Sequence, residues 1–201
     1  MKLAPLEKQA LRRFTLPVCI PDQTCFFAGQ KLTPRNADSV REKLPHEIET
    51  LIQKGVDTFI SGGFPGFELD AAEAVLSLKT RFPSLRLFFI LPYPDFTATW
   101  KNPREADRLR RLLPVSDAHI YTAEKTGKGR YRIICMAHYA AYALCALQNN
   151  RQGPAAQAAY YAIRGGADVK NLVESSALLQ DFIEREEAFQ RVRKTRASID
   201  R

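Results

Sequence analysis

The residues of this chain best suited to chemistry lie in one short stretch, Ser61-Gly62-Gly63-Phe64-Pro65-Gly66-Phe67-Glu68, with Glu73 following on. Glycines let the backbone come close to a ligand, and a helix starting just after them offers unpaired N–H groups and a partial positive charge. Such a turn suits a phosphate or another anion. The carboxylates of Glu68 and Glu73 suit a ribose hydroxyl or acid–base work at a glycosidic bond. A simpler account stands beside each. The glycines fit neither G-x-G-x-x-G nor the Gly-Lys-Ser/Thr ending of a P-loop, so a tight strand-to-helix turn without a ligand explains them too. An acidic residue near a helix N-terminus is stabilising in its own right, which accounts for Glu68 and less well for Glu73. Five positions apart, the two carboxylates do not share one helix face.

The elements that position this turn are legible on both sides. Val56 to Ile60 is a buried-strand run before it, and Leu69 to Thr80 is an amphipathic helix after it. Upstream, residues 1–17 form a polar N-terminal extension, and Thr24 to Ala28 is a first strand ending at Gly29. The next helix has Asn36 or Asp38 as its cap and Val40, Leu44, Ile48, Leu51 and Ile52 at helical spacing. Pro45 falls inside that pattern, where it is expected to kink the helix or split it in two. Downstream come a strand over Leu85 to Leu91, a helix over Pro103 to Leu113 and a short strand over Asp117 to Tyr121. A polar loop over Thr122 to Gly129, a helix over Ile133 to Ala141 and a strand over Tyr142 to Leu147 follow. Pro154 opens another helix that stops at Gly165-Gly166, and Val169 to Val173 is a last short strand.

Strand and helix alternate throughout. That pattern predicts an α/β fold with a mostly parallel sheet covered by helices on both faces, over residues 18–173. Ligands of such sheets bind beyond the carboxyl ends of the strands, where Gly29, Gly62, Gly63 and Gly153 fall. Residues 174–201 read as a charged C-terminal helix, with Leu178, Leu179, Phe182, Ile183 and Phe189 on an apolar stripe that docks on the domain or pairs with a second copy.

Composition removes several function classes. The chain has 201 residues, 45% of them apolar, and no apolar run near the roughly 20 residues that span a bilayer. Charged residues near the N-terminus have no apolar segment behind them, so the expectation is a cytoplasmic protein without a membrane. Cys19, Cys25, Cys135 and Cys145 form no C-x-x-C pair, and His46, His119 and His138 are widely spaced, so no metal site is expected. The sequence also fixes no Ser/His/Asp set. His138, beside Tyr139, is expected to be a half-buried helix histidine. The net charge of +8 admits an anionic ligand. It is spread along the chain and interleaved with acidic residues, which argues against nucleic acid as the partner. Arg191 to Arg196 read as a solvated tail.

With these positions laid out, the chain resembles the SLOG superfamily of Rossmann-like proteins, and within it the YpsA-like branch. The likeness runs over about residues 23–173 as several motifs in order. Cys25-Phe26-Phe27-Ala28-Gly29-Gln30-Lys31 is similar to the family's opening C-F-T-G-H-R. Phe59-Ile60-Ser61-Gly62-Gly63 through Glu73 is similar to F-I-S-G-G-A-x-G-x-D-x-x-A-A-E, with Glu68 replacing the Asp. Leu87 to Pro92 resembles the family strand that ends in a proline, and Trp100 falls where the family carries a tryptophan. Arg132 to His138 sits at R-N-R-Y-M-V-D and keeps Arg132 and Met136. Gly153-Pro154-Ala155 through Ala162 falls on G-G-T-A-x-T-x-R-Y-A and keeps the first glycine.

The departures have physical consequences. Pro154 removes an N–H donor and Ala155 a hydroxyl, and Lys31 and Tyr160 stand where arginines are usual. The resemblance implies a Rossmann-like three-layer sandwich with a C-terminal helical extension. It also implies a nucleotide or nucleotide-derivative ligand, ADP-ribose-like in class, for a sensor or regulatory module with an altered site. Its ligand residues would be Gly29, Gln30, Lys31, Gly62, Gly63, Gly66, Glu68, Glu73, Trp100, Arg132 and Gly153, with no cofactor and no metal. For Gln30 and Lys31 the alternative is a solvated loop, for Trp100 a packing role, and for Arg132 a surface position. Two other functions stay open. One is an N-glycosidic hydrolase of nucleoside monophosphates, related to the cytokinin-activating phosphoribohydrolases, with Glu73 and Arg132 as catalytic candidates. The other is a non-catalytic interaction module that has lost the ligand. The resemblance also allows a homodimer.

Overall fold

The structure, a computed structural model, describes residues 19–29, 31–122, 129–148, 153–173, 177–185 and 187–188. Six parallel strands form one sheet: β1 (Thr24–Gly29), β2 (Thr58–Ser61), β3 (Arg86–Leu91), β4 (Ala118–Tyr121), β5 (Tyr142–Ala146) and β6 (Asp168–Asn171). Their spatial order is β4-β3-β2-β1-β5-β6. The chain runs outward from β1 to β4, then returns to the other side of β1 with β5. The carboxyl ends of β1 and β5, where Gly29 pairs with Ala146, are therefore the topological switch point of the sheet. Five helices connect the strands: α1 (Pro34–Gln53), α2 (Phe67–Leu78), α3 (Pro103–Leu112), α4 (Gly129–His138) and α5 (Pro154–Gly165).

The strand sequences explain the layering. The central strands are buried almost end to end, as a parallel sheet covered on both faces requires, while the edge strands β4 and β6 are only half-buried. Side chains alternate between two cores. Phe27, Phe59, Leu87 and Phe89 point into a core shared with α1, α2 and α3. Phe26, Ile60, Phe88 and Ile90 point into a second core shared with α4, α5 and the helical residues 178–185. Leu178 and Phe182 belong to this second core, with the Phe182 ring 5.7 Å from that of Tyr160. The fold is thus a Rossmann-like three-layer sandwich.

Three local expectations are corrected. Pro45 does not split its helix, because α1 runs unbroken through it. Pro45 and Arg41, whose carbonyl it leaves without a helical donor, are both exposed, so the lost bond faces solvent instead of the core. Leu44 and Ile48 on the inner face hold the helix to the core. The cap of α1 is Thr33, whose hydroxyl accepts from the N–H of Asn36, rather than Asn36 or Asp38. Helix α4 begins at Gly129 and ends at His138 rather than running over Ile133 to Ala141, which leaves His138 at its exposed end with its ring against Tyr139.

Candidate functional site

The glycine-rich turn leaves β2 at its carboxyl end and enters α2 through Gly66. Ser61 fixes its start. The Ser61 hydroxyl donates to the carbonyl of Glu68 at 2.9 Å and accepts from the N–H of Gly63 at 3.1 Å, which ties the strand end to the first turn of α2. Gly66 has φ +83°, and a side chain there would be strained. It precedes α2 without any side-chain cap, and Gly153, at φ +110°, precedes α5 in the same way. By contrast, α1 and α3 are capped by the side chains of Thr33 and Asn102. Two uncapped helix N-termini with glycine at the cap therefore follow the carboxyl ends of β2 and β5, and such termini favour negative charge.

The charge at this edge comes from Arg132 on α4. It was expected as a surface residue or an anion contact, and the structure buries it to 3% exposure. Its Nη1 donates to Glu68 Oε2 at 3.2 Å, and both side chains are only 4% exposed. The same oxygen accepts the N–H of Phe64 at 3.2 Å. The guanidinium carbon lies 4.4 Å from the centre of the Phe64 ring, and Nη1 lies 3.6 Å from Met136 Sδ.

Glu68 stands on a helix of one layer and Arg132 on a helix of the other, so their contact passes over the end of β2. Gly62 leaves the room: a Cβ placed there would lie 1.5 Å from Arg132 Nη1 and 2.5 Å from Glu68 Oε2. Nearby, burial and then the charge of Glu68 push the Cys145 thiol up to about 12.

Other expected site residues divide into two groups. Gly29 ends β1, and a Cβ there would lie 2.4 Å from that of Phe67, so this glycine permits α2 to pack closely on the strand. Gly63, at φ +72°, turns the chain beside Leu91. Trp100 is half-buried against Phe96 and Phe64, with ring centres 5.4 and 6.3 Å away, and so joins the site through the ring that covers Arg132. Lys31 is exposed ahead of α1, and Gln30 lies outside the described residues.

Glu73 belongs elsewhere. Its carboxylate pairs with Arg108 of α3 at 2.7 Å, beside Asp70, Arg41 and Leu44, where α1, α2 and α3 line an open cleft of about 470 Å³. Glu73 and Arg132, the two catalytic candidates, thus have different partners. Phe64 and Ser61 make the contacts that hold this arrangement and were not among the residues expected to touch a ligand. Their signal was their place inside the turn; the ring over Arg132 needed a contact across 68 residues.

A sequence model of the YspA SLOG family (YpsA) matches residues 30–148, more than half of the chain. The chain belongs to the YspA SLOG family. Similar proteins include UPF0398 proteins from three bacteria. That of Lactiplantibacillus plantarum is 35% identical over 80 residues, which is 40% of this chain and 42% of that protein. That of Enterococcus faecalis is 31% identical over 78 residues, 39% of this chain and 43% of that protein. That of Oenococcus oeni is 33% identical over 73 residues, 35% of this chain and 39% of that protein. The chain spans about two fifths of the length of these curated relatives. The YspA SLOG match includes β2, the glycine turn, α2 and Arg132, and it ends before Gly153. Among the described residues, no group of histidine, cysteine, aspartate and glutamate could hold a metal ion, and no helix is long and apolar enough to cross a membrane.

Proposed function

We propose that this protein is a SLOG-type binding module for an anionic nucleotide derivative of the ADP-ribose class, acting as a sensor or regulator. The anionic part would lie at Gly62 to Gly66 with Gly153 opposite, and the base or ribose toward Phe64 and Trp100. The observation that carries this reading is the buried Arg132 guanidinium at the carboxyl end of β2. That guanidinium, paired with Glu68, stands against an uncapped glycine turn, on the side of the sheet where parallel folds bind ligands.

The test is a thermal-shift screen of the purified protein against AMP, ADP, ATP, ADP-ribose, NAD and cyclic nucleotides. A ligand at 100 times its Kd adds about 2.7 kcal/mol to stability, a readily visible shift. The expected result is a shift with one compound that a folded Arg132→Gln variant loses. No shift with any compound would remove the reading.

A second reading, an interaction module without a ligand, draws on one observation: Glu68 already satisfies Arg132 from within the chain. The hydrolase reading would need Glu73 at the ligand, and the pairing of Glu73 with Arg108 gives it no support.

A further inference from the structure

The donors that meet on Glu68 are those an incoming phosphate oxygen would use at such a turn. One is the backbone N–H of Phe64 and the other is an arginine N–H, and both converge on the single oxygen Oε2. The pair is not the two-pronged fork that arginine forms with a carboxylate when the fork is free to align. Among the described residues, the guanidinium donates through Nη1 alone, to Glu68 and Met136. Glu68 reaches this place from the first turn of α2, and the space for the guanidinium exists only because Gly62 has no side chain.

We infer that Glu68 is a resident anion in the site proposed above, and that ligand binding is an exchange in which a phosphate oxygen replaces the Glu68 carboxylate on Phe64 N–H and Arg132. This rests on the reading of the turn as an anion site. Exchange sets both affinity and selectivity. A singly charged ligand replaces one negative charge by another and gains little, whereas a diphosphate brings more charge than it displaces. Glu68 thereby biases the site toward multiply charged ligands and keeps Arg132 neutralised without them.

The deciding experiment is calorimetric titration of inorganic pyrophosphate into wild type, Glu68→Gln, Arg132→Gln and Glu49→Gln at one fixed ionic strength. Glu49, paired with Arg81 on the surface of α1, controls for the loss of one negative charge. Glu68→Gln is expected to bind pyrophosphate at least tenfold more tightly than wild type, Glu49→Gln to match wild type, and Arg132→Gln to lose binding. Equal or weaker binding by Glu68→Gln overturns the inference. If Glu68→Gln does not fold alone, refolding it with pyrophosphate decides: recovery of a cooperative melt supports the exchange, and failure to recover at any concentration overturns it.

ADP-ribose, titrated into wild type in parallel, separates this inference from the functional reading. Wild-type binding of ADP-ribose without a gain in Glu68→Gln keeps the reading and removes the exchange. A pyrophosphate gain in Glu68→Gln with no ADP-ribose binding by wild type keeps the exchange and removes the reading. Absence of binding throughout removes both.

Discussion

Helix α2 carries two arginine–carboxylate regions, one on each side, and they differ in almost every physical respect. At its first turn Glu68 meets Arg132 in a dry contact that joins the two helical layers over the end of β2. Further along, Asp70 and Glu73 meet Arg108 within one layer, where the Arg108 side chain is 20% exposed and that of Glu73 is 46% exposed. The second region is richer in bonds: Arg108 also pairs with Glu105, and Asp70 with Arg41. The hydrogen bonds that Arg108 donates to Glu73 and Asp70 hold its guanidinium above the usual range, against the opposing effect of burial. Yet water and salt reach these groups, and exposed ion pairs contribute little. The single buried bond matters more, because removing one member strands a charge where water cannot reach it.

The largest effect should come from breaking the buried pair on one side. Arg132→Met is expected to lower unfolding free energy by about 3–5 kcal/mol, read from urea titration, since it leaves the Glu68 carboxylate buried and unpaired. Removing both charges in Arg132→Met/Glu68→Leu should recover most of that loss, because an apolar pair of similar volume carries no desolvation cost. If the double variant is as unstable as the sum of its singles, the two residues are not coupled and the description of the pair fails.

Next comes Gly62→Ala, which places a methyl group inside the space of the Arg132 guanidinium. A loss of about 1–3 kcal/mol is expected from overpacking. Added to Arg132→Met, it should cost much less than it does alone, because the guanidinium it strikes is gone. Additive losses would mean that Gly62 matters for the backbone instead of the arginine.

The smallest effects belong to the exposed region. Arg108→Ala should cost about 1 kcal/mol at low salt and less as salt rises, and Glu73→Ala about 0.5 kcal/mol. A salt-independent loss as large as that of Arg132→Met would erase the contrast between the two sides of α2.

Much of the fold was legible because burial leaves a mark on every residue. Phe26-Phe27, Phe59-Ile60 and Phe88-Phe89 are adjacent apolar pairs that serve opposite faces of one sheet, and such runs read directly as buried parallel strands. The turn itself was legible for the same reason, since glycines between a strand and a helix have few other uses. The helix through Pro45 was less so, because one residue type argued for a break while Leu44 and Ile48 argued for continuity, and only packing decides between them. The site was the least legible. Arg132, just ahead of one predicted helix, and Glu73, inside another, were both candidates for the ligand, and nothing in their neighbours separates a buried arginine from an exposed glutamate.

The sequence by itself determined the alternation of strand and helix, the glycine turn after β2 and membership of the YspA SLOG family. These follow from local chemistry: apolar periodicity, φ preferences and residues at fixed spacing. The tertiary structure alone decided that β5 lies beside β1, that Arg132 crosses the sheet end to Glu68, and that Glu73 turns away to Arg108. Those facts depend on the distance between residues far apart in the chain. Charge–charge and steric terms act through space, and a linear order carries no record of which distant groups a fold brings within a few ångströms.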